Sequence, residues 1–222
     1  MSTPGRRDAT RASPARSRLG SRPPVAHTIA GLTLVEALVA VTIVALALVV
    51  SLPALAQVRA RAVATAAARH LAVSLHAVRW RSTTTGRAWG LEFVRDSAGW
   101  LWYEVEDGNH NGLRSSEIDD GTDRRRSGPH RLGAAVLGAR LGLPPAGPFR
   151  EIPPGRGWID ERPDPIRFGA ADLVAFGPLG TASSGRLYVT DGREALAAVV
   201  LFGQTGRIRV WRYDRGSGRW LP

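Results

Sequence analysis

Three groups of residues have types and spacings that could do chemistry. Asp107, Asn109, Asn111 and Gly112 match D-x-N-x-N-G, which sets alternate side-chain oxygens around a hard cation with glycine at the sharp turn. An EF-hand closes with an acid at its twelfth position, and here that position is Ile118, flanked by Glu117 and Asp119. The strict EF-hand is therefore excluded. Two readings stay open: a looser oxygen cage for calcium from Asp107, Asn109, Asn111, Glu117 and Asp119, or an Asn/Gly turn with solvated acids.

The second group is a basic, strand-like run near the C-terminus. Alternation places Arg207, Arg209, Trp211 and Tyr213 on one face, with Ile208, Val210 and Arg212 on the other. Guanidinium groups beside aromatic rings suit phosphate contact and base stacking, which makes DNA one expected partner. The alternative is an ordinary solvent face of an edge strand. Beyond the strand, Arg215 and Arg219 extend the charge.

The third is a single carboxylate, Glu36, within an apolar run from Gly31 to Pro53. At about 1.5 Å per residue such a helix just crosses the hydrocarbon core of a bilayer. An acidic residue there costs about 2.5–3.5 kcal/mol on insertion scales, less near the ends, so it calls for a compensating cation. No catalytic constellation accompanies these groups. His27, His70, His76, His110 and His130 show no zinc spacing, cysteine is absent, and there is no phosphate-cradling glycine loop, no G-x-S-x-G and no paired-carboxylate pattern. The chain reads as a non-enzyme with no catalytic residue and no cofactor other than the calcium considered above.

The elements that carry these groups are set by pattern. Residues 1–30 are rich in Arg, Ser, Pro and Ala without hydrophobic periodicity, a composition that predicts disorder. They hold six arginines against Asp8 alone, a surplus of five out of the net +11. Positive charge before an apolar span keeps that end cytoplasmic and places the chain beyond the span on the outer side. The 30 basic residues are all arginine. Total exclusion of lysine points to codon bias, so the basic balance is poor evidence for nucleic acid.

Past Pro53 the pattern becomes amphipathic. Val63, Ala67, Leu71, Ser74, Leu75 and Val78 recur at helical spacing, with Arg61, Arg69 and Arg79 elsewhere, until Thr83-Thr84-Thr85-Gly86 ends the run. Proline inside a continuing helix predicts a kink near the membrane surface. Residues 88–95 and 99–106 read as a hairpin with Trp89, Trp100 and Trp102 in or near the core. Residues 124–165 read as a variable connection. Its Arg124-Arg125-Arg126 run is expected to be solvated, Leu132 to Leu143 to hold one strand, and the prolines of 141–165 to exclude a regular central sheet. Strands are expected at Leu173–Phe176, Arg186–Thr190, Leu196–Phe202 and Arg207–Tyr213, the last being the final one.

Gly31-Leu32-Thr33-Leu34-Val35-Glu36 resembles the class III signal of type IV pilins and type II secretion pseudopilins. The block FGPLGTASSGRLYVTDGREALAAVVLFGQTGRIRVWRY resembles the C-terminal region of the GspH/FimT minor pilins, with F-x-P-x-G at its start and G-R-x-R, Gly206-Arg207-Ile208-Arg209, near its end. Leu32 departs from the phenylalanine usual at that position. The resemblance implies that prepilin peptidase cuts between Gly31 and Leu32 and methylates Leu32. It also implies that Glu36 compensates the terminal amine of a neighbouring subunit, and that the G-R-x-R element is associated with DNA capture in the FimT-type members.

The fold expected is α+β: a long N-terminal transmembrane and amphipathic helix packed on a β-rich domain of antiparallel sheets, as in pilins. Its parts are a leader (1–31), a membrane half (32–53), an amphipathic half (54–86) and a periplasmic domain (87–222). The function implied is a minor pseudopilin of the type II secretion pseudopilus, held in the inner membrane before assembly with other pseudopilins or minor pilins. Two alternatives are a DNA-binding pilus component for transformation and a signal-anchored periplasmic domain that never polymerises.

Overall fold

The computed structural model describes residues 33–145, 147–159 and 164–222. Gly31 and Leu32, the expected processing site, lie outside the described residues. Contacts divide the chain into two units, one through Ala45 and one from Leu46 to Pro222.

The first unit contributes the start of helix α1 (Leu34–Thr85), a single α-helix of 52 residues. Thr33 caps it: the Thr33 side-chain oxygen accepts the Glu36 backbone N–H at 3.2 Å, and its carbonyl accepts Ala37 N–H at 3.0 Å. Thr-x-x-Glu is thus the frame of a capping box, and the acid stands in the first turn where the helix dipole favours it. Every large apolar side chain described from Leu34 to Val58 is exposed. The helix is long and apolar enough to cross a membrane, and the apolar part of it is not buried within the chain. It stays helical through Pro53.

In the second unit α1 turns amphipathic as expected. Ala64, Ala67, Ala68, Leu71, Ala72, Leu75 and Val78 are buried in the main core, while Arg61, Arg69 and Val73 face solvent. Alanine at four of these positions lets the backbone approach the sheets closely and adds no side-chain entropy cost. Gly86, at φ +68°, ends the helix and donates to Ser82 O at 3.1 Å, an αL stop that glycine adopts without strain.

The hairpin is found where the alternation put it, as β1 (Trp89–Asp96) and β2 (Gly99–Glu106). Trp89 and Trp102 are buried and Trp100 half-buried. A short helix α2 (Ser115–Asp119) comes next, then β3 (Arg124–His130), helix α3 (Leu132–Ala135) and β4 (Arg140–Leu141). After these come β5 (Ile166–Arg167), β6 (Leu173–Phe176), β7 (Gly185–Thr190), β8 (Leu196–Phe202), β9 (Arg207–Asp214) and β10 (Arg219–Leu221). Among the described residues these strands form two antiparallel sheets. One has the order β3-β2-β1-β6; the other runs β10-β9-β8-β7, with β4 and β5 both pairing β7.

The middle of the chain differs from its sequence reading. The Arg124-Arg125-Arg126 run is an edge strand. Arg125 forms a bidentate pair with Glu92 at 2.6 and 2.7 Å, and Arg126 meets Glu106 at 2.6 Å. All three arginines are exposed, as the sequence led one to expect, and carboxylates of neighbouring strands pair two of them. Residues 132–143 hold a helical turn and a two-residue strand, not one longer strand. The proline-rich part is built in: Phe149 and Ile152 are buried, and Trp220 Nε1–H donates to Arg150 O at 2.7 Å. Arg207–Asp214 is not the last strand, because Arg219–Leu221 pairs with it as β10, and three residues are too few for an alternation to be visible.

Candidate functional site

The cation-like loop closes on itself. Asp107 is 2 % exposed, and its Oδ1 accepts the backbone N–H of Asn109 at 3.0 Å and of His110 at 2.7 Å. Its Oδ2 accepts Gly112 N–H at 2.9 Å. A second buried acid, Asp123, accepts Gly108 N–H and Arg114 N–H, each at 3.0 Å. The acids that should be solvated on the turn reading therefore include one that is buried and fully engaged, and Asp123 was missed because it lies outside the motif.

The other expected ligands divide. Asn109 and Asn111 donate their amide N–H groups to Glu117 at 3.1 and 2.8 Å, and Arg114 stands 3.4 Å from the same carboxylate. Asp119 is exposed at the end of α2 and joins none of these bonds. Asp107, Asn109, Asn111 and Glu117 are thus in one hydrogen-bonded loop, and Asp119 is not. Among the described residues no group of three or more His, Asp or Glu side chains is arranged to hold a metal ion.

Strand β9 divides by face. Ile208 and Val210 pack on the main core beneath α1, while Trp211 and Tyr213 join a second cluster on the opposite side of the sheet with Phe149, Tyr188 and Trp220. Tyr213 meets Phe149 and Trp220 edge-on at 5.2 and 5.3 Å between ring centres. Trp211 Nε1 is buried without a hydrogen-bond partner among the described residues. The rings expected to stack on bases are occupied by their own neighbours. Arg207 is exposed, Arg209 half-buried, and Arg212 exposed toward the opposite face.

The turn before the strand is built from the other end of the chain. Arg79 of α1 donates to Gly206 O at 2.9 Å and Thr205 O at 3.2 Å. Gly206 has φ +59°, and a Cβ there would stand 2.8 Å from Gly180 O. The first residue of the G-R-x-R element is accordingly required by backbone conformation and crowding. No family model matches the chain, and no curated protein or solved structure does either.

Proposed function

We propose that the chain is a minor pseudopilin, a structural subunit of a type II secretion pseudopilus that acts at its tip or in its initiation. One observation carries the reading: a single helix whose later turns are buried against two antiparallel sheets, while every large apolar side chain described from Leu34 to Val58 is exposed. Thirteen such side chains left in water would forfeit about 1.5–3 kcal/mol each, so this stretch belongs in lipid or against other helices. A subunit held in the inner membrane and then moved into a filament uses both environments in turn. Glu36 in the first turn supplies the charge that a neighbouring subunit's terminal amine would meet. The role is one of assembly, with no reaction at the subunit beyond its own processing by prepilin peptidase.

The test is the intact mass of protein extracted from membranes of a cell with active prepilin peptidase. A chain beginning at N-methylated Leu32 is expected. An unprocessed N-terminus would overturn the assignment and leave a signal-anchored domain.

A further inference from the structure

We propose that the groove where α1 passes the edge of the domain rests on a bilayer surface and takes the headgroups of anionic phospholipids, with Leu137 reaching into the acyl layer. The proposal rests on the membrane part of the reading above and needs no filament. Residues 37–58 carry no charged side chain, and at about 1.5 Å per residue they span about 33 Å as helix, close to the ~30 Å hydrocarbon core. Arg59 is the first charge beyond that run, so the turns around it fall at the lipid–water boundary.

A groove of about 880 Å³ lies along those turns. Leu52, Leu55 and Arg59 of α1 line it, and Leu137, Arg193 and Arg215 come to it from the domain. Leu137 is 86 % exposed although its turn is well held: Val136 packs on the main core, Ala139 is buried, and Ala139 N–H donates to Val136 O at 3.0 Å. A single exposed leucine is ordinary on a protein surface. This one shares its groove with Leu52 and Leu55, both exposed, and forms with them an apolar patch that ends at arginines.

Along α1 the apolar Leu52 and Leu55 come first and Arg59 after them, the order in which a bilayer sets acyl chains and phosphates. Arg59 and Arg193 are exposed and meet no carboxylate among the described residues. The acids nearby are engaged. Asp191 accepts three backbone N–H groups of its own turn, Asp214 accepts the Ser217 N–H and O–H at 3.1 and 2.7 Å, and Glu194 stands 3.8 Å from Arg215. Guanidinium groups fork onto phosphate oxygens, and their stems lie along apolar surface while the charged heads stay in the wet phosphate zone. The apolar helix of a second copy laid in the groove would leave Arg59 and Arg193 without a counter-charge. A soluble acidic partner would answer the arginines but leave the uncharged run in water.

The chain has no cysteine, so a single substitution carries a label cleanly. The full chain is placed one copy per phospholipid nanodisc, of phosphatidylcholine alone or in equal mixture with phosphatidylglycerol. An environment-sensitive fluorophore sits at Leu137→Cys, and a lipid with a nitroxide near its headgroup serves as quencher. Expected is quenching at position 137 that is stronger in the anionic discs and falls by about half or more in Arg59→Gln/Arg193→Gln. Single Arg193→Gln keeps the test valid if the double variant fails to melt cooperatively. Arg207→Gln should leave the quenching unchanged. Leu179→Cys, in the turn that meets Gly206 and Arg79 and so about 30 Å further along α1, should show none. A label at Val44→Cys reads the span itself. If its emission is that of water, the membrane reading falls and this proposal with it. If it is apolar while position 137 is unquenched, equally quenched in neutral discs or unmoved by the arginine variants, this proposal alone is overturned. Shielding of position 137 only in discs holding two copies would give the groove to a second subunit and overturn it as well.

Discussion

At the scale of single residues, Asp107 and Asp123 hold a loop that its motif alone describes as a cation site. Each carboxylate replaces water with backbone N–H donors, and charged acceptors make the stronger hydrogen bonds. Removing Asp107 takes from the amides of Asn109, His110 and Gly112 the acceptor they share. Asp107→Ala is expected to destabilise the domain by about 3 kcal/mol. Because these donors come from the protein, the loss in thermal midpoint should be equal in millimolar calcium and in a chelator. A parent protein stabilised by calcium, with the effect lost in the variant, would show that the loop takes the ion after all. The motif was readable in sequence, but its acceptors were not, since Asp123 belongs to the site only through folding.

At the scale of elements, α1 and the β7–β8 turn show two ways in which local pattern becomes structure. The helix stripe was legible because burial at three- and four-residue spacing is a property of the helix itself. The turn adds a charge. Burial acts against the ionised form of Asp191, but the backbone N–H groups of Arg193, Ala195 and Glu194 outweigh it and hold the carboxyl below its usual range. All three donate to Asp191 Oδ1, at 3.1, 2.9 and 3.0 Å respectively. A depressed folded-state value means that this contribution is complete above the ordinary carboxylate pKa of about 3.9 and disappears as pH falls through the lower folded value. Asp191→Ala should cost about 1–3 kcal/mol near neutral pH. The gap from the parent should narrow below about pH 4. Thermal melts at both pH values check this, and a gap that does not change with pH would remove the charge from the explanation.

At the scale of the whole molecule, the proposed use of the chain in a filament turns on whether Glu36 acts by charge or by capping. Its backbone N–H already bonds the Thr33 side chain, and glutamine serves a capping box as well as glutamate does. If Glu36 meets a neighbouring subunit's amine, Glu36→Gln should insert into the membrane normally yet enter filaments as poorly as Glu36→Ala. Normal incorporation of the glutamine variant would reduce the residue to a helix start. The sequence by itself determined the apolar helix, its amphipathic continuation, the first hairpin and most of the late strands, because period and turn chemistry are local. Only the tertiary structure decided that two arginines of the β3 run meet carboxylates, that the proline-rich segment covers a sheet, and that Trp211 and Tyr213 are occupied. Those outcomes depend on which strands become neighbours, and cross-strand pairing joins residues that no local period connects.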